Sequence, residues 1–176
     1  LFLDGRYGVR DASFSALEQA VDQRRIPRRS TQAGEHLRVG QMTIRILWPP
    51  PPAPGESPPA NPNERATVAI VSHRGFDLFL SADAESPVLL PLDLPHVDAM
   101  KVPHHGSADP GLPQLLERLK PTVAAIETGR GNDYGHPTPS TLNALRGHVP
   151  RVYRSDRDGT TELTVRGDRI AIRTHR

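Results

Sequence analysis

Two adjacent imidazoles, His104 and His105, follow the short apolar run Val97 to Val102, which stops at Pro103 and gives way to Gly106-Ser107. Neutral imidazole is the commonest metal ligand, and a second ring beside it can support the first or hold substrate. Adjacent residues on a strand point to opposite faces, so both rings reach one site only if the strand ends at Pro103 and the backbone turns at Gly106. Another apolar run, Leu78-Phe79-Leu80, leads through Ser81-Ala82 to Asp83, with Glu85 as a substitute acid two residues on. A carboxylate at the end of a buried strand has its charged form penalised unless a cation compensates, and a divalent metal compensates most strongly. Asp83, His104 and His105 are therefore the expected metal-ligating residues. Which of the two histidines is the direct ligand stays open.

A third apolar run, Val123 to Ile126, precedes a loop holding Asn132, Tyr134 and His136, made compact by Gly135 and Pro137. An amide, a phenol and an imidazole on one loop could bind a phosphate oxygen or protonate a leaving alkoxide. His136 and Tyr134, with His105, are the candidate catalytic groups. Asn132 is expected to bind substrate, together with Ser107 and Lys101, which bracket the histidine pair. Turn and cap roles are the structural alternative for each of these residues. Other schemes fit poorly: there is no cysteine, no Gly-x-Ser-x-Gly elbow, and Gly129-Arg130-Gly131 is too short for a phosphate loop and lacks its lysine.

The elements that must position these residues read as follows. Leu1 to Asp4 resembles the tail of a strand, so the chain is expected to be a piece of something longer. Ser13 is placed to cap a helix with Phe14, Leu17 and Val21 on one face, ending by Pro27. The cluster Arg24, Arg25, Arg28 and Arg29 at its end is either a phosphate-binding patch or a solvated helix terminus. Glu35 to Val39 and Thr43 to Trp48 form a hairpin around Gly40-Gln41. Residues 49–63 carry eight prolines, so they cannot pair in a sheet or continue a helix and are expected to be an extended surface excursion or a disordered linker loop, with a proline-recognition ligand as the alternative. Thr67 to Ser72 and Phe76 to Ala82 make a second hairpin, with His73 as an exposed turn residue. Leu112, Leu115, Leu116 and Leu119 mark one face of a helix ended by Pro121, and Thr138-Pro139 opens another that buries Leu142 and Leu145. Val123 to Glu127, Val152 to Arg154, Thr161 to Val165 and Arg169 to Ile172 are further strands, the last three separated by Asp158-Gly159 and Gly167-Asp168 turns.

This alternation places the chain in the α/β or α+β class, and 176 residues suit one domain burying roughly 70% of the surface of its unfolded chain. With 22 basic against 20 acidic residues, no overall field demands an anionic partner. No apolar run approaches the roughly 20 residues that span a bilayer.

Four segments in order, Leu80-Ser81-Ala82-Asp83-Ala84-Glu85, Lys101-Val102-Pro103-His104-His105-Gly106-Ser107, Asn132-Asp133-Tyr134-Gly135-His136-Pro137 and Val152 to Gly159, resemble the C-terminal metallo-β-lactamase-like domain of the ComEC DNA-internalisation proteins. The resemblance implies an αββα sandwich, here a single partial domain over 1–176 lacking its N-terminal portion. It implies a metal-dependent nuclease or phosphodiesterase acting on DNA, single strand or duplex end, with two divalent ions, Zn or Mn, in the complete site. It also implies a membrane-channel portion in the same parent protein and a location on the extracytoplasmic face of the bacterial inner membrane. In the family the position of Asp83 is the bridging carboxylate, His104 a ligand, and the Tyr134-Gly135-His136 loop borders the substrate. Two departures stand out. Ser81-Ala82-Asp83 replaces the family's Thr-Gly-Asp, and the first ligand run, His-x-His/Asp-x-Asp-His, has no match among the eight histidines. The isolated chain is accordingly expected to bind metal weakly and to be catalytically poor. Two other readings remain: a non-catalytic DNA-binding or channel-docking module, and an esterase of small phosphoesters.

Overall fold

The computed structural model describes residues 1–5, 12–57, 59–166 and 169–175. The expected loop after Gly5, from residue 6 to 11, and the Gly167-Asp168 turn lie outside the described residues. Seven strands form one mixed sheet in simple sequence order: β3 (His36–Val39), β4 (Met42–Trp48), β5 (Val68–His73), β6 (Phe76–Leu80), β7 (Ala99–Lys101), β8 (Val123–Ile126) and β9 (Arg151–Arg154). The first four pair antiparallel through hairpins, and β6 to β9 pair parallel. Parallel neighbours require crossovers. These are supplied by α2 (Ser86–Leu89), α3 (Leu112–Leu119) and α4 (Pro139–His148). The architecture is mixed α/β, as expected.

Alternation along the central strands divides the core. Met100 and Ala124 join Ile70, Phe79 and the helical leucines Leu89, Leu112, Leu115, Leu116, Leu119 and Leu145 in one buried cluster. Their neighbours Ala99 and Val123 belong to a second cluster with Phe76, against which Leu163, Val165, Ile170 and Ile172 pack. Those four come from the antiparallel hairpin β10 (Thr160–Arg166) and β11 (Arg169–His175). The sheet is thus covered by helices on one face and by a two-stranded ribbon on the other. Among the described residues no helix is long and apolar enough to cross a membrane.

Near the start, β1 (Phe2–Asp4) pairs in parallel with β2 (Arg28–Ser30), a strand that the arginine cluster concealed in the sequence. Arg28 is not at a helix end. Its guanidinium bonds Asp4 at 2.7 Å and Glu18 at 2.5 Å and lies over the rings of Phe2 and Phe14. The two carboxylates push its pKa up further. Arg29 pairs with Glu35 at 2.8 Å, so these two cations meet carboxylates of the chain itself. On α1 (Ala12–Gln23) Val21 is buried while Leu17, expected on the same face, is exposed. Where an Asp158-Gly159 turn was expected, a single helical turn, α5 (Ser155–Asp158), ends at Gly159. The described residues of the 49–63 segment form no strand, as its prolines require, but the segment is pinned: Trp48 Nε1 donates to the Glu64 carbonyl at 2.6 Å and Arg65 Nη1 to the Pro50 carbonyl at 3.1 Å.

Candidate functional site

Because β6, β7, β8 and β9 run parallel, the loops that follow them emerge on one edge of the sheet, where open α/β sheets hold ligands. The loop after β6 carries Asp83 and Glu85, the loop after β7 carries His104 and His105, and the loop after β8 carries Asn132, Tyr134 and His136. They are laced together. The Ala82 carbonyl accepts from the His104 amide and from Lys101 Nζ, both at 3.2 Å. Thr138 N donates to the Gly106 carbonyl at 2.9 Å and Thr141 Oγ1 to the Ser107 carbonyl at 2.5 Å.

The turn at 103–106 is tight for a reason visible in its dihedrals. His104 (φ 44°), His105 (φ 53°) and Gly106 (φ 84°) are all left-handed, a region that costs an L-residue roughly 1–2 kcal/mol. This places both rings on one side of the strand end, which an extended backbone would forbid. Gly106 is required twice over, since a Cβ there would sit 2.7 Å from Pro137 Cβ. Ala82 (φ 48°) is left-handed as well. The Gly of the family's Thr-Gly-Asp is the residue that such a backbone favours.

Each imidazole has one nitrogen fixed. His105 Nδ1 lies 2.7 Å from the Glu127 carbonyl, which only accepts, so Nδ1 carries the proton. His105 Nε2 is then left with a lone pair when the ring is neutral, and it faces Asp83 Oδ1 at 3.5 Å. Two acceptors confronting each other call for a cation: a proton on Nε2, or a metal between them. His104 Nδ1 meets Glu85 Oε1 at 2.9 Å, and Ser107 Oγ donates to the same oxygen. Glu85 therefore orients His104, the carboxylate–histidine arrangement common around metals, and Ser107 is held in that pair. The His104 and His136 rings meet edge to face with centroids 5.7 Å apart, and the Tyr134 ring lies 5.9 Å beyond His136.

Donor chemistry fits a divalent cation, but donor number does not. Among the described residues no group of three or more His, Asp or Glu side chains is placed to hold one, and a catalytic zinc usually takes three. Asp83 and His105 alone do not make a complete site.

The remaining candidates are placed as follows. Asn132 is engaged inside its own loop, its amide nitrogen donating to the His136 carbonyl at 2.6 Å and its oxygen accepting from the His136 amide at 3.1 Å. Lys101 Nζ is held over the Ala82 and Val102 carbonyls, and burial pushes its pKa down against the pull of Asp83 and Glu127. Tyr134 is 83% exposed, with its ring open to solvent. The partnership of Glu85 with His104 could have been suspected from the acid's spacing but not distinguished from ligation.

No family model matches the chain. It is 28% identical over 148 residues to ComE operon protein 3 of Bacillus subtilis (strain 168), covering 82% of this chain and 18% of that protein. It is likewise 28% identical over 116 residues to Recombination protein 2 of Haemophilus influenzae, covering 65% of this chain and 15% of that protein. The likeness to the ComEC family is borne out. The chain spans less than a fifth of the length of either relative. Three of the four segments that carry the ComEC resemblance are the loops that meet at this edge. The fourth, Val152 to Gly159, is bound to them through Ser155 Oγ, which accepts from the Thr128 amide at 2.7 Å.

Proposed function

We propose that the chain is a domain of a DNA-uptake protein of the ComEC type and that the Asp83, His104, His105 and His136 cluster faces a phosphodiester. In this reading the helical layer, the seven-stranded sheet and the β10–β11 ribbon are three layers of an αββα sandwich of the metallo-β-lactamase-like class. The activity would be metal-dependent hydrolysis of DNA, in which Asp83 and His105 would supply two of the donors to a Zn or Mn ion and the remaining donors would come from outside the cluster. The observation that carries the proposal is the confrontation of the Asp83 carboxylate with the lone-pair nitrogen of His105 at the edge where three parallel-strand loops converge.

The chain's own residues have definable parts in it. The Glu127 carbonyl and the Glu85 carboxylate each accept from one Nδ1, so that each ring, when neutral, presents Nε2 as an acceptor. In this reading the His136 imidazole, which lies beside His104, passes a proton to a departing oxygen, and Tyr134 offers an exposed ring on which a neighbouring base can stack.

Cleavage of a single-stranded oligonucleotide with added Mn²⁺ tests the reading, in this chain and in the longer protein of which we propose it is part. Activity should be low in the chain, higher in the longer protein, and abolished in both by Asp83→Ala. A longer protein that cuts nothing, or cuts equally well without Asp83, overturns it. That no third donor joins Asp83 and His105 among the described residues favours a second reading, a DNA-binding or docking module without catalysis. That module would bind DNA with a steep loss of affinity in salt and would keep doing so after Asp83→Ala. An esterase of small phosphoesters would show no such salt dependence.

A further inference from the structure

Beside the cluster lies a cavity of about 750 Å³ whose wall includes Asp83, Glu85 and His104. Its other walls come from two elements far apart in sequence. Trp48 and Pro50 line it from the Pro-rich side, and Pro87, Val88 and Pro91 from α2 and the turn after it. The volume lies within the roughly 300–1,000 Å³ of small-molecule sites, which are mostly apolar with a few polar groups.

Charge selects the occupant. Among the described residues four carboxylates line the cavity, those of Glu56, Glu64, Asp83 and Glu85, against the guanidinium of Arg65 and the imidazole of His104. Arg65 is itself ion-paired with Glu56 and bonded to the Pro50 carbonyl. A phosphate entering here would meet an excess of like charge where water is partly excluded and repulsion is stronger. A flat, neutral body with N–H groups on its edge meets proline rings, an indole and carboxylate acceptors instead.

We infer that this cavity receives an unpaired nucleobase of the strand whose phosphodiester lies at Asp83 and His105, an inference that rests on the phosphodiester reading above. The phosphate stays at the mouth, and the base attached to it enters. Bases stacked in a duplex cannot do so without leaving the helix. The site is therefore selective for single strands and for frayed ends.

Trp48 is the only tryptophan in the sequence, so its emission reports on the cavity directly. Titration with adenosine, which carries no phosphate, should change that emission saturably, and inorganic phosphate should not. A single-stranded oligonucleotide should reproduce the change and a blunt duplex should not. Val88→Phe, which fills the cavity, should weaken the adenosine response by about tenfold or more, with its unfolding midpoint checked in parallel. Should that variant fail to fold, Glu64→Arg at an exposed position places a cation in the carboxylate wall and should shift the preference from adenosine towards phosphate. The inference is overturned if adenosine produces no change up to about 10 mM, which would reveal even millimolar affinity. It is overturned equally if phosphate gives the same change as adenosine, or if the folded variant responds like the wild type. Adenosine has no phosphodiester, so loss of cleavage with intact adenosine binding would contradict only the hydrolytic reading.

Discussion

At the scale of single residues, the site depends on which nitrogen of each ring carries a proton, and two acceptors decide it. Glu85 is the clearer case because its Oε1 accepts from both His104 Nδ1 and Ser107 Oγ. Glu85→Ala leaves both donors without an acceptor and should cost about 1–3 kcal/mol, while Glu85→Gln keeps an oxygen in place and should cost less. Urea unfolding of the two variants checks this, and equal stability of Glu85→Ala and wild type would refute the assigned role. Lys101 carries a pH signature. Burial lowers its pKa in the folded state, so the penalty on its charge is complete below that lowered value and is relieved as pH rises toward the ordinary value of about 10.4. Wild type should therefore gain stability relative to Lys101→Met across that alkaline interval. A flat difference between the two would contradict the burial of the ammonium.

The turn following β7 is the element on which the geometry hangs. Three successive left-handed residues bring both imidazoles to one side, and Gly106 lets Pro137 of the neighbouring loop close against it. Gly106→Ala meets a left-handed backbone and a 2.7 Å approach together, and should destabilise by at least about 1–2 kcal/mol. Thermal unfolding measures it, and a variant as stable as wild type would mean the two loops are not in contact. Much at this scale was legible in sequence. The leucine spacing gave α3, Thr138-Pro139 gave the start of α4 with Thr138 as its cap, and alternating or apolar runs gave the sheet strands. Other features were not legible because their cause is not local. β2 reads as a charge cluster until β1 supplies its partner and Asp4 and Glu18 neutralise Arg28. The one-turn α2 is too short for any periodicity. The cavity exists only because the segment after Trp48 folds back toward α2, which no pattern within either segment records.

On the scale of the whole molecule, the order of strands does the assembling. Four parallel neighbours place four loops on one edge, so residues more than thirty positions apart, such as His104 and His136, meet without any of their segments being unusual alone. Asp83, His104, His105 and His136 stand out in the sequence because each follows an apolar run, whereas the engagement of Asn132 by its own loop has no local signal. The central claim is that Asp83 and His105 form one grip for a divalent cation. Its most direct test follows the histidine ring nitrogens by NMR during titration with Zn²⁺, in the wild-type chain and in Asp83→Ala. The account predicts weak binding that shifts His105 Nε2, leaves the distant His36 and His148 unmoved, and disappears in the variant. A shift of the same size in Asp83→Ala, or none in the wild type, would contradict it.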